Sequence, residues 1–84
     1  MKQFCETWAI SCGRIAVFLC SQGAAHTEPN RFLFDRVEVC VTALPPRRIG
    51  ALSFPCTLVE FAGEDCEAEK LHRRFVLQFI SAGG

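Results

Sequence analysis

The chain reads as an α+β domain: a small antiparallel sheet of about four strands with a C-terminal amphipathic helix packed on one face. Three observations carry that expectation. Val37, Val39 and Val41 alternate with Arg36, Glu38, Cys40 and Thr42, the period-two signature of a half-buried strand. Proline and glycine punctuate the stretch that follows, at Pro45, Pro46, Gly50 and Pro55. After Asp65 the period changes to that of a helix.

Taken in order, Phe4 to Ile10 and Ile15 to Cys20 are short apolar runs separated by Ser11-Cys12-Gly13-Arg14, a spacing that suits two strands joined by a turn. A helix starting near Lys2 competes, since Phe4, Trp8 and Cys12 also fall at helical spacing. Ser21 to Asn30, with Gly23, Pro29 and Asn30, reads as the main loop. Arg31-Phe32-Leu33-Phe34 extends the Val37–Val41 strand toward its start, and Leu44-Pro45-Pro46-Arg47-Arg48 stops it, because neither proline can donate to a ladder. Ile49 to Phe61 reads as a further strand, confined by Pro55 to a sheet edge or bent there by a bulge.

From Asp65 to Ile80, Ala68, Leu71, Phe75, Val76 and Phe79 gather within about 140° at helical spacing. Glu64, Asp65, Glu67 and Glu69 occupy the positive N-terminal end, Lys70, Arg73 and Arg74 come later, and Glu69 pairs with Arg73 at i, i+4. The runs in Phe75 to Ile80 also fit a strand, and Ser81-Ala82-Gly83-Gly84 ends the element in either case. Nothing divides residues 1–84, which form a single domain.

Half of the residues are apolar, eight are Phe, and nine basic residues balance nine acidic ones. A domain of this size buries only about 60% of its unfolded surface, so part of that inventory stays outside as a patch that suits a partner. The charge balance gives no broad positive field, which disfavours nucleic acid, and zero net charge lowers the repulsion that opposes self-association. Met1-Lys2, Ala9 to Cys20 and Gly23-Ala24-Ala25 have the outline of a signal peptide, but Glu6 and Arg14 break it, and no stretch approaches a membrane-spanning length. A cytoplasmic location is the expectation.

The six cysteines, at 5, 12, 20, 40, 56 and 66, include no Cys-x-x-Cys knuckle for zinc or thiol exchange. Cys12, Cys20 and His26 share an order with Cys56, Cys66 and His72, but a helix carrying Cys66 and His72 points them about 120° apart. Three disulfides in a secreted domain are the alternative to buried free thiols, the reading favoured by the apolar neighbours of Cys5, Cys20 and Cys56. His72 lies in the apolar arc of the helix and fits the edge of the core with a ring nitrogen on a backbone carbonyl; His26 reads as a solvated surface residue. The acidic run from Glu60 to Glu69 reads as a solvated face with helix-start acids.

No catalytic residue, cofactor, metal ligand or small-molecule substrate is indicated. The expected function is a non-enzymatic protein-binding module, an inhibitor or modulator docking on a larger complex or forming a homodimer. Short chains without site chemistry commonly belong to phages or mobile elements that act on host machinery. The alternatives are a secreted disulfide-stabilised domain and a weak nucleic-acid-binding protein. Partner contacts are assigned to Arg47 and Arg48, presented stiffly after two prolines, and to Phe32 and Phe34; both sides of the second hairpin carry apolar residues, with Leu33 opposing Phe32 and Phe34 and with Leu52 and Phe54 close to Val59 and Phe61, and the helix buries one side only, leaving the surplus on the other.

Overall fold

The computed structural model describes residues 1–83, with side chains described through Ile80. Its elements are β1 (Lys2–Trp8), α1 (Cys12–Ser21), β2 (Ala25–Glu28), β3 (Arg31–Phe34), β4 (Val37–Ile49), β5 (Leu52–Gly63) and α2 (Asp65–Gly83). The strands form one antiparallel sheet in the order β1-β5-β4-β3-β2. The α+β class and the packed C-terminal helix are as the sequence predicts, but the sheet has five strands rather than about four, and a second helix crosses from β1 to the far edge.

That second helix is the segment read as a strand from Ile15 to Cys20. Ser11 caps it, its side chain accepting from the Arg14 backbone N–H at 3.4 Å, and Ile15, Phe18 and Leu19 then fall on one buried stripe. The expected loop from Ser21 to Asn30 holds a short edge strand, β2, all of whose residues are exposed. Arg31–Phe34 does not extend the valine strand but pairs back on it. Asp35 at φ +52° opens a two-residue hairpin that sets Phe34 opposite Val37.

Pro45-Pro46 does not end β4 either. The register moves from Leu44↔Cys56 to Arg47↔Phe54, so the two prolines stand against Pro55 in a bulge and the ladder resumes beyond it. They are tolerated because β1 reaches only to Thr57 and β3 only to Cys40, so the outer sides of both strands face solvent here.

Both helices lie on one face. Val37, Val39 and Val41 of β4 and Val59 and Phe61 of β5 are covered by Ile15, Phe18 and Leu19 of α1 and by Ala68, Leu71, Phe75 and Phe79 of α2. Phe75 is the hub, its ring 5.1 Å from Trp8, 5.8 Å from Phe18, 5.4 Å from Phe61 and 4.9 Å from Phe79. The helical alternative for Phe75 to Ile80 is therefore the one realised. α2 continues through Ser81-Ala82-Gly83, where the sequence places its stop; Gly84 lies outside the described residues.

Two features fix β5. Buried Thr57 donates its hydroxyl to the Ile10 carbonyl at 2.5 Å and lies 3.6 Å from the Cys12 thiol, tying the β1–α1 connection to the sheet. Gly63 sits so close to β4 that a Cβ would collide with the Arg36 carbonyl and come 2.8 Å from Val37 Cα.

Two outcomes test this core. Phe75→Ala should lower unfolding stability by about 3–5 kcal/mol in a urea titration, whereas Leu77→Ala, 59% exposed on the same helix, should change it by less than about 0.5 kcal/mol. Thr57→Val, which keeps the shape but removes the donor to Ile10, should lose about 1–3 kcal/mol in the same assay.

Candidate protein-binding surface

Alternation along each strand separates two faces. With Val37, Val39, Val41, Thr57, Val59 and Phe61 turned to the helices, the opposite face presents Cys5 and Thr7 of β1, Cys56, Leu58, Glu60 and Ala62 of β5, Glu38, Cys40, Thr42 and Leu44 of β4, and Leu33 of β3. Neither helix covers this face.

β4 and β5 outrun their neighbours and continue as a two-stranded arm closed by Gly50 at φ +62° and Ala51. In the arm's register Arg47 stands opposite Phe54, and Ile49 opposite Leu52. These four share the face that continues from Cys56 and Leu58, while Arg48 and Ser53 point the other way. Ile49 is 60% exposed, Leu52 62% and Phe54 37%. Where the arm bends at the bulge, Arg47, Ile49, Phe54 and Cys56 meet Thr7 and Trp8 around a cleft of about 390 Å³. Burying such groups on a partner removes apolar area from water while the arginine contributes fixed donors.

The residues assigned from sequence do not form one patch. Arg47 and Arg48 are exposed on the arm as expected. Phe32 is 2% exposed on the helix side of the sheet, pairs with Val39 and lies beneath the stacked ring of His26 at 4.5 Å, so it belongs to the core. Phe34 is half-buried against that core, beside Glu67 and Leu71. Ile49, Trp8 and Leu58 were not singled out. Counting outward from Val59 in steps of two passes through Thr57, Pro55 and Ser53 and so leaves Cys56, Phe54 and Leu52 on the opposite face, but the bulge that adds Arg47 and Ile49 to it cannot be counted through.

Several titratable groups are engaged in structural contacts. His72 Nε2 lies 2.9 Å from Glu6 Oε1, rather than on a backbone carbonyl, and its ring stacks on Phe4 at 3.9 Å; the same Glu6 oxygen accepts from Trp8 Nε1 at 3.2 Å. His26, in β2 rather than a loop, is exposed and lies 3.2 Å from the Pro29 carbonyl. Glu64 accepts from the Glu67 N–H at 2.9 Å, and hydrogen bonds from the first amides of α2 hold its carboxyl below the usual range. Glu67 accepts from the Arg36 N–H, and Glu69 pairs with Lys2 at 2.8 Å. Among the described residues no three His, Cys, Asp or Glu side chains converge on a point that could hold a metal.

All six thiols are free, and none is buried: Cys5, Cys20 and Cys66 are exposed, and Cys12, Cys40 and Cys56 are half-buried. The expectation of buried thiols fails at Cys5 and Cys56 because sequence neighbours on a strand point to the other face, and at Cys20 because it lies off the buried Ile15, Phe18 and Leu19 stripe of α1. Cys5 and Cys40 share a row but stand on either side of Glu60, about 9.6 Å apart at two strand spacings, which is too far for a disulfide. Desolvation raises the Cys40 thiol pKa, and Glu38 and Glu60 push it the same way, against Arg31.

Comparison with protein-family models gives no match, and a search of curated proteins finds no relative; the chemistry of this surface alone carries the functional reading. Among the described residues no helix is long and apolar enough to cross a membrane.

The thiol geometry predicts an order of alkylation. Near pH 7.5, Cys20 and Cys66 should be labelled by iodoacetamide well before Cys40, whose raised pKa leaves less thiolate, and raising the pH should narrow the gap. Mass-spectrometric mapping of a labelling time course checks this; Cys40 among the first labelled would contradict it.

Proposed function

We propose that this chain is a non-enzymatic protein-binding module, an inhibitor or modulator that docks on a larger protein through the β4–β5 arm and the helix-free sheet face. The observation that carries the reading is the arm. Ile49, Leu52 and Phe54 are large apolar side chains held in solvent on a defined face beside Arg47, where they add nothing to the core. Aromatic and arginine side chains around a cleft are the composition of interface hot spots. The bulge prolines limit the arm's freedom and so reduce the entropy lost on docking.

Six unpaired thiols, three of them exposed, fit a reducing compartment, so the cytoplasm is the proposed location. Nine positive against nine negative charges favour a protein partner over nucleic acid.

Affinity capture from the native host, with retained proteins identified by mass spectrometry, tests the reading. Phe54→Asp with Ile49→Asp should abolish retention of the partner that the parent holds, with an unchanged circular dichroism spectrum. Arg47→Ala with Arg48→Ala should leave the melting temperature nearly unaltered and weaken binding by about 1 kcal/mol or more, roughly fivefold. Equal retention by parent and both variants would remove the arm from the interface.

A further inference from the structure

The helix-free face carries its acidic groups at one end, where Arg31, in register with Cys40, is engaged by Glu28 and Glu38, and an unpaired arginine at the other. At one end Glu60 stands in register with Cys40, next to the Glu38–Ala62 pair. At the other, six residues along β5, Phe54 stands in register with Arg47. Among the described residues neither Glu60 nor Arg47 has an ion-pair partner within the chain; Arg31, near Glu60, lies 3.9 Å from both Glu28 and Glu38. Between the ends the face is neutral and largely apolar, with Leu58 opposite Thr42 and Cys56 opposite Leu44.

A surface with unpaired opposite charges at its two ends and an apolar middle is complementary to itself turned end for end. We propose that the partner of this face is a second copy of the chain, stacked face to face with its strands antiparallel about a two-fold axis at the level of Thr57. The proposal rests on the docking role of the arm and makes a second copy its occupant in the free chain, so that a larger partner binds by displacing that copy. At about 3.3 Å per residue the Glu60 and Arg47 rows are roughly 20 Å apart. Rotation about an axis midway between them, running across the strands, exchanges rows 60 and 54, 58 and 56, and 62 and 52. Each strand then lies over its own counterpart: Arg47 over Cys40, between Glu60 and the Arg31 that Glu28 and Glu38 engage, Phe54 over Glu60, Leu58 over Cys56, and Leu52 over Ala62. The arm projects past β1 in one copy onto the far end of the sheet in its partner, covering the exposed Leu52 and Phe54 of both.

The face is large enough. A stable interface takes about 800 Å² from each partner, roughly one seventh of the chain's 5498 Å². The thirteen residues of β4 span most of the 41 Å long dimension of a body 41 × 27 × 22 Å, so the stacked face is drawn from its longer sides. Zero net charge leaves no overall repulsion between copies.

Sedimentation equilibrium on the full chain, with Glu60→Arg, Arg47→Glu and the double variant, tests the arrangement, and circular dichroism checks that each is folded. The parent should dimerise with a micromolar or lower Kd. Each single reversal puts like charges face to face and should raise that Kd at least about tenfold, and the double variant, whose charges are complementary again, should return to within about threefold of the parent. A parent that stays monomeric at about 100 μM overturns the self-partner, while the docking role of the arm is decided separately by capture. A dimer insensitive to both reversals overturns this face as its interface, and a dimer weakened by both but not restored in the double variant overturns the antiparallel arrangement.

Discussion

The structure depends on β5 being paired on both sides. Residues 57–63 lie between β1 and β4, so the strand must satisfy two ladders and still present one face to the helices. Its sequence does this by strict alternation: Thr57, Val59, Phe61 and Gly63 are buried, and Cys56, Leu58, Glu60 and Ala62 are not. Phe61 then meets Phe75 of α2 and Phe4 of β1, and Val59 lies opposite Val41 of β4. Everything inward follows from the odd residues of this strand. Everything available to a partner follows from the even ones.

The same strand also produces the arm, because its pairing with β4 outlasts its pairing with β1. Beyond Thr57 there is no third strand to bury either face, and the ribbon must be stable on local pairing alone. Two-stranded ribbons are marginal in water. Here the ribbon is continuous with a sheet anchored on two helices, its turn is relieved by Gly50, and three prolines restrict its backbone at the bulge. Those prolines also withhold amide donors from the exposed edges, which limits pairing with other strands.

What could be read from sequence followed the strength of each periodic signal. The valines of β4 and the apolar arc of α2 are long, regular patterns, and both the strand and the buried positions Leu71 and Phe75 were expected from them. α1 was not, because Ile15, Ala16, Val17, Phe18, Leu19 and Cys20 are a continuous apolar run whose periodicity is uninformative; the cap on Ser11 decided it. Prolines read as stops because they end strands inside a sheet, and the sequence does not show that β1 and β3 fall short of them. For the surface, Arg47 and Arg48 are exposed but stand in the β4 ladder rather than at a loop tip, and Phe32 belongs to the core because the face of β3 depends on its hairpin with β4.

Because the two faces alternate, a slip of β5 by one residue would exchange them, turning Leu58 and Glu60 to the helices and Val59 and Phe61 to solvent. Two contacts oppose that slip at opposite ends of the paired segment. Thr57 carries the only buried polar side chain of the described core, and its hydroxyl is satisfied by the Ile10 carbonyl in this register alone. At the other end Gly63 admits the Arg36 carbonyl into space that any Cβ would fill, so shifting Ala62 or Glu64 into its place forces a collision. Neither residue touches the arm, yet together they determine that Leu58, Cys56 and Phe54 emerge on the face where Arg47 stands. The composition of the helix-free face is thus specified from the inside, by one hydroxyl and one missing side chain.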